Sequence, residues 1–283
     1  MVTGQKITVT TSKTQKNNNI SLSIQVSLNG LSFCALDTES RRILYFKDQR
    51  FHKKLNPIQT LQQIEKAYEE DVFLEQPFKE VKLLFSNELY SLVPEKLFRE
   101  ENASDYLKFN ARILETDFVA HDPLPEQGLV NVYIPYTNIS NYFFEKYGEF
   151  EYQHCVSVLV RAFLEADKNM SAGTRVYLNR NASGYDLVVI RKGKLLFSNS
   201  FMCDTKEDFI YYLLFTAEQL ELDPEEFELV LLGNITENSD YYKMAYTYIR
   251  NISFLKTSFG FIFDIGTSVP KGYKYFTIFS SFS

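Results

Sequence analysis

Residues 73–87 read FLEQPFKEVKLLFSN, and residues 220–234 read LELDPEEFELVLLGN. Each stretch runs from a helical tail through a proline, Pro77 or Pro224, into a short continuous apolar run, the mark of a buried strand. What precedes each is also the same. In the first copy ISLSIQVS meets LSFCALD across Leu28-Asn29-Gly30, and Asn-Gly is a strong hairpin signal. The turn Thr38-Glu-Ser-Arg41 then leads into ILYFKDQRF. A helix is expected next, capped by Asn56 with Pro57 at its first position and Ile58, Leu61, Ile64 and Tyr68 at helical spacing. In the second copy TRVYLNRN, YDLVVIRKG and KLLFSNSF are three strands joined at Asn181-Ala-Ser-Gly184 and Lys192-Gly193. Asp204, with Glu207 three residues on, is the expected cap of a helix whose face is Phe209, Tyr212, Leu213, Thr216 and Leu220. A further helix is expected over 240–250.

Between the copies, HDPLPEQG (121–128) carries turn signals, and VPEKLF before it looks like a helix start. NVYIPY is an expected strand, followed by a helix opening near Ser140 and closing at Gly148. EFEYQHCV is an expected strand, with a helix after it up to Ala166. The organisation expected is a loose polar leader over 1–19, a first lobe over 20–170 and a second over 171–283. Three meandering strands, a crossover helix and a fourth parallel strand, occurring twice, make an α/β protein of two ribonuclease-H-like lobes. That is the plan of the actin, sugar-kinase and heat-shock ATPase superfamily.

The bulk properties restrict function without choosing one. The chain has 283 residues, 23% charged, and a net charge of −6, which gives no global attraction to nucleic acid or anionic membrane. The one basic run, from Arg41 to Lys54, is interrupted by Asp48 and reads as a solvated strand-and-turn face. Three isolated cysteines, Cys34, Cys155 and Cys203, define neither a disulfide framework nor a zinc site. No apolar run is long enough to span a membrane, and a cytoplasmic location is expected. The 25 Phe and 19 Tyr fit packed β surfaces and protein interfaces.

The segments VKLLFSNELYSLVPEKLF (81–98) and NVYIPYTNISNYFFEKYGEFEYQH (131–154), with the two meanders, resemble an uncharacterised Bacteroidetes family of unknown function with an actin-like ATPase fold. The resemblance spans nearly the whole chain from about residue 20. More distantly the chain is similar to the actin-like scaffold proteins of bacterial pilus and secretion machines. In nucleotide-binding members the first strand of each copy supplies an Asp, and a Gly-rich turn presents amides to phosphate. By that resemblance a nucleotide, ATP with magnesium, held in the cleft between the lobes would touch Asn29, Gly30, Ser183, Gly184, Gly233 and Asn234. Here the first hairpin has one Gly and no carboxylate, and Gly30 is explained by the tight turn. The second also lacks the Asp, although Arg180, Asn181 and Ser183 could offer polar contacts.

The remaining constellations are weaker. FDIGTSVP (263–270) looks like a phosphate hairpin, yet only 19 residues follow Asp264, too few for the repeat that should come after it. It is expected to be a terminal strand and its turn. Glu115, Asp117, His121 and Asp122 crowd one loop that could hold a metal, and His154 beside Cys155 could suggest a base and a nucleophile. Adjacent strand residues point to opposite faces, which argues against that pair. The expectation is a catalytically degenerate protein-interaction or scaffold module with a protein partner or self-association, no nucleic acid, no membrane insertion and no catalytic or metal residues. The alternative is a nucleotide-binding actin-like ATPase.

Overall fold

The computed structural model describes residues 6–10, 19–108, 113, 117–263 and 271–283. They belong to two compact units, one of residues 1–158, 259–269 and 277–283, the other of 159–258 and 270–276. In chain order the elements are β1 (Lys6–Thr10), β2 (Ile20–Ser27), β3 (Gly30–Asp37), β4 (Arg42–Arg50), α1 (Pro57–Glu70), β5 (Glu80–Phe85), β6 (Tyr90–Pro94), β7 (Ala120–Leu124), β8 (Leu129–Tyr133), α2 (Thr137–Tyr147) and β9 (Glu151–His154). They continue as α3 (Cys155–Asp167), β10 (Thr174–Arg180), β11 (Gly184–Arg191), β12 (Lys194–Met202), α4 (Lys206–Gln219), β13 (Glu228–Gly233), α5 (Asp240–Tyr248), β14 (Asn251–Phe254), β15 (Ile262–Phe263) and α6 (Phe276–Ser280).

The duplication is structural as well as textual. In unit 1 the sheet runs β1-β4-β3-β2-β5-β9, with β15 also beside β4; in unit 2 it runs β12-β11-β10-β13-β14. Each meander is antiparallel, and its fourth strand lies parallel to its first: β5 beside β2, β13 beside β10. Even the irregularities coincide. The second and third strands slip register between Ala35 and Leu36 in unit 1 and between Val189 and Ile190 in unit 2. Strand pairing sets Glu80 against Ser21 and Glu228 against Arg175, one residue away from the alignment the textual echo suggests. Both glutamates are held there from the neighbouring strand, by Ser21 Oγ at 3.2 Å and by Arg175 Nε at 2.8 Å.

Each sheet buries one face under its crossover helix. In unit 2, Phe209, Leu213 and Ala217 of α4 pack with Leu178, Tyr185, Leu187, Leu229 and Leu231 of the sheet. Each of these phenylalanine and leucine side chains contributes about 1.5–3 kcal/mol on burial. In unit 1, Ile64, Ala67 and Tyr68 face inward from α1, while Ile58, expected on that face, is exposed. The opposite side of that sheet receives α6, whose Phe279 meets Phe46 at 5.6 Å, and Ser281 Oγ donates to Ser23 Oγ.

Several local expectations shift. The capping box of α1 is Asn56 with Gln59, as the sequence suggested for Asn56. That of α4 lies one residue later than expected, with Thr205 and Asp208 exchanging bonds. Residues 6–10, placed in an irregular leader, form β1 on the open edge of β4. The region read as a helix start and turns builds a small third sheet, β6-β8-β7. Pro123 fits there because β7 is an edge strand, where a missing N–H need not break a ladder.

Candidate functional site

The expected phosphate-facing turns exist as hairpins, and their polar groups are turned upon themselves. In unit 2, Asn181 Oδ1 accepts the amides of Ser183 at 3.0 Å and Gly184 at 2.8 Å. Those are the amides that would face an anion in a backbone nest. Arg180 Nη1 donates to the carbonyls of Asn181 and Gly184, and its guanidinium lies 4.4 Å from the ring centre of Tyr241. Arg180 is buried, and its Nε has no partner among the described residues. In unit 1 the amide of Asn29 donates to Ser27 Oγ at 3.2 Å, and that hydroxyl donates to the carbonyl of Gly30.

The turn does not account for Gly30. Both Gly30 and Gly184 begin the second meander strand, and neither has a positive φ. A Cβ on Gly30 would lie 2.6 Å from the carbonyl oxygen of Gln49, and one on Gly184 would lie 1.8 Å from that of Phe201. The third strand crosses so close that only hydrogen fits. Gly233 differs, with φ of +81° at the end of β13, where the chain leaves the strand. Its Cβ would also strike the carbonyl oxygen of Arg180, at 2.3 Å.

The structure brings some of these residues together and leaves others apart. Gly233 pairs with Arg180 across β13 and β10, and the amide of Asn234 donates to the carbonyl of Arg180 at 2.6 Å. Ser183, Gly184, Gly233 and Asn234 therefore gather at the carboxyl ends of two parallel strands of unit 2, where open α/β sheets commonly bind ligands. The Gly233 amide donates to the carbonyl of Tyr273. Asn29 and Gly30 belong to unit 1. Asp264 and residues 265–270 of the FDIGTSVP stretch lie outside the described residues, as does Glu115.

A buried polar cluster in unit 1 escaped the sequence reading. Asp122 accepts the His154 amide at 2.8 Å, the Ser157 hydroxyl at 2.5 Å and the Tyr133 hydroxyl at 3.0 Å. Asn131 Nδ2 donates to Ser157 Oγ, while its Oδ1 is buried without a partner among the described residues. Asp122 thus holds the start of α3, a carboxylate at a helix N-terminus, rather than a metal. No group of three or more His, Cys, Asp or Glu among the described residues is placed to hold a metal ion. His154 is fully buried, and its Nδ1 accepts the Val156 amide, which leaves the ring proton on Nε2 facing the Asn87 carbonyl at 3.1 Å. Burial pulls its pKa down to about 3. His154 ends β9 and Cys155 begins α3, so the pair is not two neighbours on one strand as expected. The sequence set Asp122 among Glu115, Asp117 and His121 as a loop that could hold a metal, and gave no sign of this cluster because its partners come from three other elements.

The basic run is engaged within unit 1 at several points, two of them ion pairs. Lys47 is buried against Asp71 at 3.0 Å, Lys54 pairs with Glu88, and Arg41 donates to the carbonyl of Phe259 and lies over the ring of Phe261. No helix among the described residues is long and apolar enough to cross a membrane.

Known proteins with this architecture are consistent with the two-lobed plan. A Bacteroides thetaiotaomicron VPI-5482 protein of actin-like ATPase fold and unknown function is 23% identical, with a TM-score of 0.77 over 85% of this chain and 92% of that one. The PilM-PilN type IV pilus biogenesis complex is similar at 13% identity, with a TM-score of 0.54 over 86% of this chain and 90% of that one. Among curated proteins, none matches. The fold is thus the actin-like one, with two ribonuclease-H-like lobes. Over residues 10–252 the chain matches the model described as "Protein of unknown function (DUF3822)", and it belongs to that family.

Proposed function

We propose that this protein is a protein-interaction or scaffold module on an actin-like frame, not a working ATPase. The observation that carries this reading is Asn181, whose side-chain oxygen takes the Ser183 and Gly184 amides that a phosphate would need. The first hairpin supports it in the same way, since Ser27 holds the Asn29 amide and neither first strand carries a carboxylate. The similarity to PilM, found in a complex with PilN, is in keeping with a role through protein contacts. Three buried, unbridged cysteines are consistent with a reducing, cytoplasmic setting.

The rival reading is nucleotide binding, favoured by one observation, the gathering of Ser183, Gly184, Gly233 and Asn234 at the carboxyl ends of β10 and β13. Calorimetric titration of the full chain with ATP and magnesium separates the two. The scaffold reading expects no saturable heat and no phosphate release. A magnesium-dependent site with turnover would overturn it.

A further inference from the structure

The two meanders share one register, yet only one has its outer edge covered. In unit 1, β1 pairs with β4 from Tyr45 to Gln49, and β15 pairs with Arg42 and Ile43. The counterpart in unit 2 is β12, which ends its sheet with no strand beyond it among the described residues. Natural sheets protect such edges with proline, inward charge or a bulge. The sequence of β12, KLLFSNSFM, has no proline and a single charge, at its first residue. Its register slip, at Leu196, leaves the stretch from Phe197 to Met202 regular, and the matching stretch of β4, beyond its own slip at Leu44, is the one that pairs with β1.

We infer that the β12 edge is a homodimer interface, in which two copies pair β12 with β12, antiparallel, about a two-fold axis at Ser198. Charge selects a second copy in this orientation. Lys192 and Lys194 stand exposed at one end of the strand and Asp204 at the other, and none of the three has an ion-pair partner among the described residues. Pairing about the strand midpoint sets Phe197 beside Asn199 of the other copy and, past the slip at Leu196, Leu195 beside Ser200 and Lys194 beside Phe201. It also carries Lys192 next to the level of the other copy's Asp204, one residue away, within reach of a long lysine side chain, and symmetry repeats the contact. Parallel pairing would instead set lysine against lysine, which is unfavourable.

The apolar surface continues from this edge. Rings run from Phe197 to Phe201 at 6.4 Å, to Tyr212 at 5.3 Å, to Tyr211 at 5.4 Å and to Phe215 at 5.9 Å. Tyr211 and Phe215 are 60% and 45% exposed on α4, and Leu196 and Met202 are exposed on the strand itself. A two-fold axis normal to the sheet keeps both α4 helices on one face, so these strips adjoin across the axis. Exposed aromatic side chains of this kind are what protein interfaces enrich.

The inference rests on the reading that the chain acts through protein contacts, and it is separately falsifiable. Sedimentation equilibrium of the full chain at micromolar concentrations should show a dimer. Lys192→Asp alone or Asp204→Lys alone sets like charges opposite twice and should weaken it by about tenfold or more, with circular dichroism unchanged. Mixing the two single variants should restore dimers, as a one-to-one hybrid in native mass spectrometry, and the double variant should dimerise with itself. A wild-type chain that stays monomeric, a dimer indifferent to both reversals, or single variants that fail to rescue each other would overturn the inference. A monomer would leave the scaffold reading standing, whereas ATP turnover would overturn that reading and leave a dimer intact.

Discussion

Lys47 and Asn199 occupy the same place in the two meanders, opposite Phe33 and Leu187, yet Lys47 is buried and Asn199 is exposed. In unit 1 the turn after α1 brings Asp71 over the strand, where it accepts from Lys47 Nζ at 3.0 Å and Tyr45 Oη at 2.6 Å. Burial alone would raise the Asp71 pKa, but those two bonds, with the lysine charge, hold it below the ordinary value. In unit 2 the corresponding strand has neither an acidic lid nor an outer strand among the described residues. One repeat closed its edge with charge and a returning segment; the other left it open. What surrounds the meander decides exposure, because the meander itself is the same.

The largest expected effect tests that closure. Asp71→Ala leaves a lysine buried without its counter-ion and should destabilise unit 1 by about 3–5 kcal/mol. Asn199→Ala, at the matching position, should stay within about 0.5 kcal/mol. Urea unfolding read by hydrogen exchange in each unit checks both, and equal costs would break the contrast.

The glycine pair comes next. Gly184→Ala meets the Phe201 carbonyl far more closely than Gly30→Ala meets that of Gln49. The expected costs are about 3 and about 1–2 kcal/mol, the range for forced overpacking. Exchange of the β11–β12 and β3–β4 amides reports them separately, and a larger cost at Gly30 would contradict the spacing.

Mild acid should then divide the units. His154 titrates near 6.5 when unfolded and at about 3 when folded, so the unfolded state binds more protons between those values. Stability of unit 1 should fall as pH drops below 6.5, by about 2 kcal/mol at pH 5. Unit 2 has no histidine, since the three are His52, His121 and His154. Asp71, with its lowered folded pKa, contributes above the ordinary carboxylate range, and that contribution is lost only at lower pH, below about 4. His154→Gln, which keeps an acceptor and a donor, should flatten the response between pH 7 and 5.

Much of the frame was legible because its signals are local. Asn29-Gly30, Lys192-Gly193 and the Asn56 cap act through a few dihedrals and hydrogen bonds within one turn, and the apolar runs announce their strands by period alone. The sheet of β6, β7 and β8 was not legible, because Pro94 sits in what reads as a helix start and Pro123 and Pro125 carry turn signals, while the pairing that overrides them is non-local. The candidate turns were found, but their chemistry was not: whether Asn181 offers its oxygen to a ligand or to its own hairpin depends on a side-chain rotamer.

By itself the sequence determined the duplicated strand–helix order and the absence of carboxylates on the first strand of each copy. The tertiary structure alone decided why Gly30 must be glycine, where Asp122 is used, and which of two equivalent edges is covered. The reason is physical: turns and periodicity are settled by neighbours along the chain, whereas a close backbone crossing, a buried charge or an open edge depends on segments distant in sequence.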